Sequence, residues 1–273
     1  MSTYVSVTPR TLSRLCTASL VTGFVLALLL MSGCSGGSAP RDELANSQQL
    51  LATCDPASPP ASLVEIDGTG SSASDAITAE RMAAVESIAT RTAVCSGRLR
   101  VLVFSASSAA TTVLFDGELK MPGATDNARL KRVAEAVKGV MEKVRAGYGP
   151  ATAALPQGGS DITAQYRLAA EWTQQLGGAY KLDLFILSDG FQNVGVDLGA
   201  KPLGKDEAVA LADRVALPEL AGASVTVAGL GRVAEGTPPS SVVEGLVHYY
   251  NALCAKTAAS KCLSVSDFAT EGR

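Results

Sequence analysis

Ser62-Leu63-Val64-Glu65-Ile66-Asp67-Gly68-Thr69-Gly70-Ser71 is a short, mostly apolar run that ends in a polar loop rich in glycine. The apolar part, 62–66, reads as a strand. In extended chain alternate side chains point the same way. Asp67, Thr69 and Ser71 can therefore converge on one point, and the glycines between them let the backbone bend. One carboxylate and two hydroxyls are hard oxygen donors, suited to Mg²⁺ or Mn²⁺ and not to a soft metal.

Downstream, apolar residues recur with helical and strand periods in alternation. Met82, Val85, Ile88 and Ala89 mark a helix over 76–93, and 98–105 reads as a strand. Residues 111–115 read as a short edge strand closed by a turn at Asp116-Gly117. Leu130, Val133, Val137, Val140, Met141 and Val144 stripe a helix over 127–146, which Gly147 is placed to end. A helix over 162–176, strands over 182–187 and 224–228, and a closing helix over 242–254 complete the order. This alternation predicts an α/β fold: a doubly wound, mostly parallel sheet with one short antiparallel edge strand. In such sheets ligands bind outside the carboxyl ends of the strands. A second acid sits at one such end, in Leu187-Ser188-Asp189-Gly190, and the loop Gly158-Gly159-Ser160-Asp161 opens the helix that begins at Ile162.

The 273 residues are 47% hydrophobic and 18% charged, a mix that builds a packed core and excludes wholesale disorder. A net charge of −3 and an aromatic content of 5% argue against nucleic acid as a partner. The amino-terminal stretch is organised differently. Arg10 and Arg14 precede the uncharged run Leu20 to Met31, which is shorter than the ~20 residues that span a bilayer. Met31-Ser32-Gly33-Cys34 resembles a bacterial lipobox, with Met where Leu is usual. The resemblance implies that 1–33 is a lipoprotein signal peptide, carrying Cys16 away with it. Cys34 then bears the lipid and anchors the chain to the outer face of a bacterial cell membrane. An uncleaved anchor over 15–31 is the alternative. From Cys34 onward the net charge is −5. Ser35-Gly36-Gly37-Ser38-Ala39-Pro40 reads as a flexible tether, which makes 34–57 the tether region and 58–273 the folded domain.

The three polar pieces, Asp67-Gly68-Thr69-Gly70-Ser71, Gly158-Gly159-Ser160 and Ser188-Asp189-Gly190, together resemble the von Willebrand factor type A (VWA) domain over roughly 58–259. That family's metal ion-dependent adhesion site (MIDAS) has Asp-x-Ser-x-Ser after its first strand, a hydroxyl in a Gly-rich loop opening a helix, and an acid in a Ser-Asp-Gly or Thr-Asp-Gly turn. Here Thr69 replaces the first Ser, and Ser160 stands where the family has Thr. The resemblance implies a Rossmann-like VWA fold with Mg²⁺ or Mn²⁺ held by Asp67, Thr69, Ser71, Ser160 and Asp189. It further implies no catalysis, and a protein partner whose acidic side chain completes the metal's coordination. A structural reading also exists for each residue singly, since Asp-Gly pairs favour turns and Ser160-Asp161 can cap a helix.

Two enzymatic imitations are present. Gly229-Leu230-Gly231 follows a strand like a dinucleotide fingerprint, yet Pro238-Pro239 leaves no helix where a pyrophosphate needs one. Val64-Glu65-Ile66-Asp67-Gly68-Thr69 imitates the haloacid dehalogenase phosphatase motif, with Glu65 at the nucleophile's position, where its longer arm misplaces the attacking oxygen. A phosphatase remains the enzyme alternative, and a metal-free scaffold lipoprotein the other. His248, the only histidine, falls in the last helix with no partner for nucleophilic chemistry. Outside the cytoplasm Cys54, Cys95, Cys254 and Cys262 form an even set expected to pair. Their positions at one edge favour Cys54–Cys95 with Cys254–Cys262, and Cys54–Cys254 with Cys95–Cys262 stays open.

Overall fold

The computed structural model describes residues 40–199 and 201–268. The expected signal segment, Cys34 and the start of the tether lie outside the described residues. Strands β1 (Pro60–Asp67), β2 (Arg98–Phe104), β3 (Thr111–Glu118), β4 (Lys181–Leu187), β5 (Ser224–Ala228) and β6 (Lys261–Val265) form one sheet in the order β3-β2-β1-β4-β5-β6. Every pairing is parallel except β2 with β3. This is the mixed, Rossmann-like sheet that the alternation of strands and helices predicts, with the antiparallel strand at one edge.

Among the described residues seven α-helices accompany it: α1 (Pro40–Leu51), α2 (Asp75–Val94), α3 (Asp126–Leu130), α4 (Val133–Ala154), α5 (Ile162–Leu176), α6 (Lys205–Asp213) and α7 (Ser240–Lys256). Alternation along β1 divides the core. Val64 and Ile66 pack with Val85, Ile88, Val137 and Val144 of α2 and α4. Ala61 and Leu63 face Tyr166, Trp172, Leu246 and Tyr250 of α5 and α7. With both faces covered, β1 is buried along its whole length, so its sequence is an apolar run and not an alternating one.

Several boundaries differ from the sequence expectation. β3 runs through Asp116-Gly117 instead of turning there. Arg98 and Arg100 on β2 both reach the Asp116 carboxylate, at 2.7 and 2.5 Å, and hold the strand to its neighbour. The long helix is broken into α3 and α4 and passes Gly147 and Pro150 to end at Ala154. At Gly147 an added Cβ would meet Leu114 Cδ2 at 3.2 Å, so this glycine admits β3 close to the helix and does not end it. The stretch read as tether up to residue 57 contains α1, which hydrogen-bonds to α3 through Gln48 and Asn127 at 2.8 Å. β6 and α6 carried too short a pattern to be seen. Both favoured disulfides are present, Cys54–Cys95 with Cα atoms 5.4 Å apart and Cys254–Cys262 at 5.8 Å. Cys54 and Cys95 precede β1 and β2, and Cys262 lies at the start of β6, so both bonds close the amino edge of the sheet.

Candidate metal centre

Three loops at the carboxyl ends of β1 and β4 and at the start of α5 bring the predicted residues together. Asp67 ends β1. The chain then turns away at Gly68, whose amide donates to Phe104 O at 2.9 Å and where a Cβ would come within 2.6 Å of Val103 Cγ1. Asp67 Oδ1 accepts from the Thr69 amide at 3.0 Å and from Thr69 Oγ1 at 2.7 Å. Asp67 Oδ2 accepts from Ser160 Oγ at 3.0 Å and from Ser188 Oγ at 2.6 Å. Thr69 Oγ1 and Ser71 Oγ lie 3.2 Å apart. Asp67, Thr69, Ser71 and Ser160 thus form one connected set of oxygens, drawn from positions up to 93 residues apart.

Asp189 lies beside them. Its Oδ1 accepts from the Phe191 amide at 3.0 Å, while Oδ2 has no hydrogen-bond partner among the described residues, although the side chain is 1% exposed. Burial raises the Asp189 pKa above the ordinary carboxylate value, and the neighbouring Asp67 raises it further. The Ser71 hydroxyl, the Phe191 amide and Arg81 oppose the rise. A buried, unpartnered carboxylate oxygen next to a second carboxylate and three hydroxyls is a donor set that a hard cation fits. Among the described residues no group of three acids, cysteines or histidines exists, so any cation here would rest largely on hydroxyls.

The supporting residues were mostly invisible in the sequence. Ser160 and Asp161, expected as alternatives for a cap, divide the work. Asp161 caps α5 by accepting from Ala164 N at 2.9 Å, which leaves the Ser160 hydroxyl for Asp67. The loop after Asp189 ties the neighbouring segments together. Asn193 Oδ1 accepts from Ser160 N at 2.9 Å, and Asn193 Nδ2 donates to Gly158 O at 3.1 Å. Buried Gln192 accepts from Thr163 N at 2.9 Å. Asn193 thus clamps the Gly158–Ser160 loop, and Gln192 the first turn of α5, onto the Asp189 loop. Phe191 and Val196 pack partly against the α5–α7 core. Beneath the site Arg81 of α2, 1% exposed, donates to Asp67 O at 2.8 Å. Tyr250 of α7 donates to Gly190 O at 2.8 Å, where φ is +83° and a Cβ would meet Leu230 Cδ2 at 2.5 Å. Gly229-Leu230-Gly231 starts no helix. Its loop instead donates from Gly231 N to Asp189 O at 2.8 Å and from Ala234 N to Ser71 O at 2.9 Å.

Glu65 does not join the set. It is fully buried between the sheet and α5, close enough to Tyr166 to affect its ionisation, and neither carboxyl oxygen has a hydrogen-bond partner among the described residues. Burial pushes its pKa well above the ordinary value, which favours the neutral acid. His248 is half-buried on α7 and takes no part in this hydrogen-bonded set.

The class defined so far is a Rossmann-like α/β domain with a hydroxyl- and carboxylate-lined site at the carboxyl edge of its sheet. No protein-family model matches the chain, and none of the curated proteins does. Among solved structures it is similar to BatB, a conserved hypothetical protein of Bacteroides thetaiotaomicron. The identity is 11%, over 76% of this chain and 89% of that one, with a TM-score of 0.40. It is also similar to proximal thread matrix protein 1 of the mussel byssus, at 14% identity over 78% of this chain and 45% of that one, TM-score 0.39. The pilus adhesin SpaC of Lactobacillus rhamnosus GG matches at 13% identity over 76% of this chain and 28% of that one, TM-score 0.37. Likeness this distant bears on neither function nor partner.

Proposed function

We propose that this chain is a VWA-type module that binds a protein partner through a divalent cation held at a MIDAS-type site, without catalysis. The observation that carries the reading is the convergence of Asp67, Thr69, Ser71 and Ser160 into one hydrogen-bonded set beside Asp189, whose buried Oδ2 is unpartnered. Mg²⁺ or Mn²⁺ would be held by these five residues and would supply a positive, under-neutralised centre for an incoming carboxylate. Asp67 and Asp189 contribute the only formal negative charges of the set, so a bound divalent ion stays electrophilic toward an acidic side chain of a partner. Thr69 and Ser160 orient Asp67 by their hydroxyls, and Arg81 fixes its carbonyl from below. The phosphatase alternative is disfavoured by Glu65, which is 0% exposed and faces the core, where no phosphate reaches it. Calorimetric Mg²⁺ titration of the wild type beside Asp67→Ala tests the reading; a metal-free scaffold would give identical heats.

The module is proposed to sit on the outer face of a bacterial cell membrane through a lipid on Cys34. Among the described residues no helix is long and apolar enough to cross a membrane. Cys34→Ser should lose the lipid mass and partition into the aqueous phase of a detergent extraction. A variant that keeps both the mass and the detergent partitioning contradicts the assignment.

A further inference from the structure

A groove of about 980 Å³ opens over the candidate centre, far larger than one ion needs. Ser71 and Ser160 lie in it, Phe191 and Pro238 give it apolar wall, and Asp197 and Glu235, both exposed, stand along it. Among the described residues no lysine or arginine lines it. Arg232, three residues before Glu235, is held by Glu80 of α2 in an ion pair and borders a different groove. Asp197 and Glu235 make no ion pair among the described residues. Beside Ser71, which lines the groove, the buried Oδ2 of Asp189 has no hydrogen-bond partner among the described residues, the same sign of a ligand on which the metal reading rests.

Resting on the proposed metal reading, we propose that the groove takes a protein segment in which an acidic residue is flanked by basic ones. The central acid meets the cation, and the flanking cations meet Asp197 and Glu235. The argument is one of charge pattern. A bound divalent ion makes a compact positive spot bordered by carboxylates. A purely acidic segment gains at the spot and is repelled along the groove; a purely basic one is drawn to the groove's carboxylates and repelled at its centre. Only the mixed pattern is favourable at both, and like-charge mismatch is what rejects the others.

Three short fluorescein-labelled peptides test this: an aspartate flanked by lysines, by serines, or by glutamates. Each is titrated with the full-length chain in detergent micelles, with excess MgCl₂ or with EDTA, and read by fluorescence polarisation. The lysine-flanked peptide should bind about tenfold tighter than the serine-flanked one, with the glutamate-flanked peptide weakest. Every affinity should fall sharply with EDTA, and the ranking should shrink with added salt. The double variant Asp197→Asn, Glu235→Gln should bring the lysine and serine peptides to within about twofold while binding Mg²⁺ like the wild type. Equal affinities in the wild type, a ranking that survives in the double variant, or affinities indifferent to EDTA overturn the proposal. Calorimetry with MgCl₂ on the same samples separates the failures. Mg²⁺ binding without the ranking sinks the groove proposal alone, and no Mg²⁺ binding sinks the metal reading together with it.

Discussion

Asp67 accepts four hydrogen bonds from three separate loops, so its position is over-determined before any ligand arrives. Ser160 is the partner from farthest along the loop after α4, and its place depends on Asn193. Asn193→Ala removes the clamp at Gly158 O and Ser160 N while leaving every proposed ligand side chain in place. It should weaken Mg²⁺ binding about tenfold, the usual cost of losing an outer partner, with little change in the melting temperature. An unchanged Mg²⁺ affinity by calorimetry would show that the loop holds itself. Asp183 on β4 offers a test away from the centre. Burial raises its pKa above the ordinary 3.8, against the pull of Arg91, Lys181 and Lys261. The folded chain therefore keeps this proton to higher pH than the unfolded chain, and this group's contribution to stability declines as pH rises through and above the carboxylate range. Asp183→Asn should remove that part of the slope: the difference in stability between variant and wild type should move in the variant's favour from about pH 4 to pH 7 in urea titrations. A constant difference contradicts the assignment. The donor residues were legible because hydroxyls and acids at spacing two after a strand have few other uses in combination. Ser188 was quoted in the sequence motif, but its hydrogen bond to Asp67 was not foreseen. Asn193, Gln192, Arg81 and Tyr250 were not legible, because they act on backbone groups from distant segments and any polar residue reads alike there.

Strand β1 was read correctly in kind because burial on both faces makes an apolar run, and the charge at Glu65 was the one discord. The structure answers it with complete burial beside Tyr166 and no hydrogen-bond partner for either carboxyl oxygen among the described residues. Helix ends were the weakest part. Gly147 reads locally as a stop, but close approach to Leu114 gives it another use, and α4 continues. β3 looked shorter than it is because Asp116-Gly117 is an ordinary turn pair; the two arginines of β2 that keep it extended lie 16 and 18 residues upstream. The favoured cysteine pairing followed from the order of the elements, since Cys54 and Cys95 flank strand starts and Cys262 follows shortly after the helix that carries Cys254, although a second pairing stayed open. The two disulfides should differ in worth. Cys54–Cys95 closes a separation of 41 residues and Cys254–Cys262 one of only 8. Loop-closure entropy then gives about 4 kcal/mol for the first and about 2.5 kcal/mol for the second. Paired Cys→Ser variants, compared by denaturant unfolding, should lose stability in that order. The reverse order would mean that native-state strain or residual structure in the unfolded chain dominates.

The molecule is arranged with its cross-links at one edge of the sheet and its candidate centre at the other. The disulfides fix the amino ends of β1, β2 and β6, while the carboxyl ends of β1 and β4 carry Asp67 and Asp189. A domain built this way would keep its frame if the loops at the far edge rearranged around an ion, because the core clusters on either side of β1 are held by α2, α4, α5 and α7. Removal of the metal should accordingly leave the fold intact and change only what the carboxyl edge can hold. The direct test is isothermal titration of MgCl₂ into the full-length wild type and Asp67→Ala, with circular dichroism on both. The wild type should give a saturable heat with one ion per chain. Asp67→Ala, folded by its spectrum, should give none, because half of the site's negative charge is gone. Identical heats from the two proteins, or no heat from either, would contradict a cation site at Asp67, Thr69, Ser71, Ser160 and Asp189.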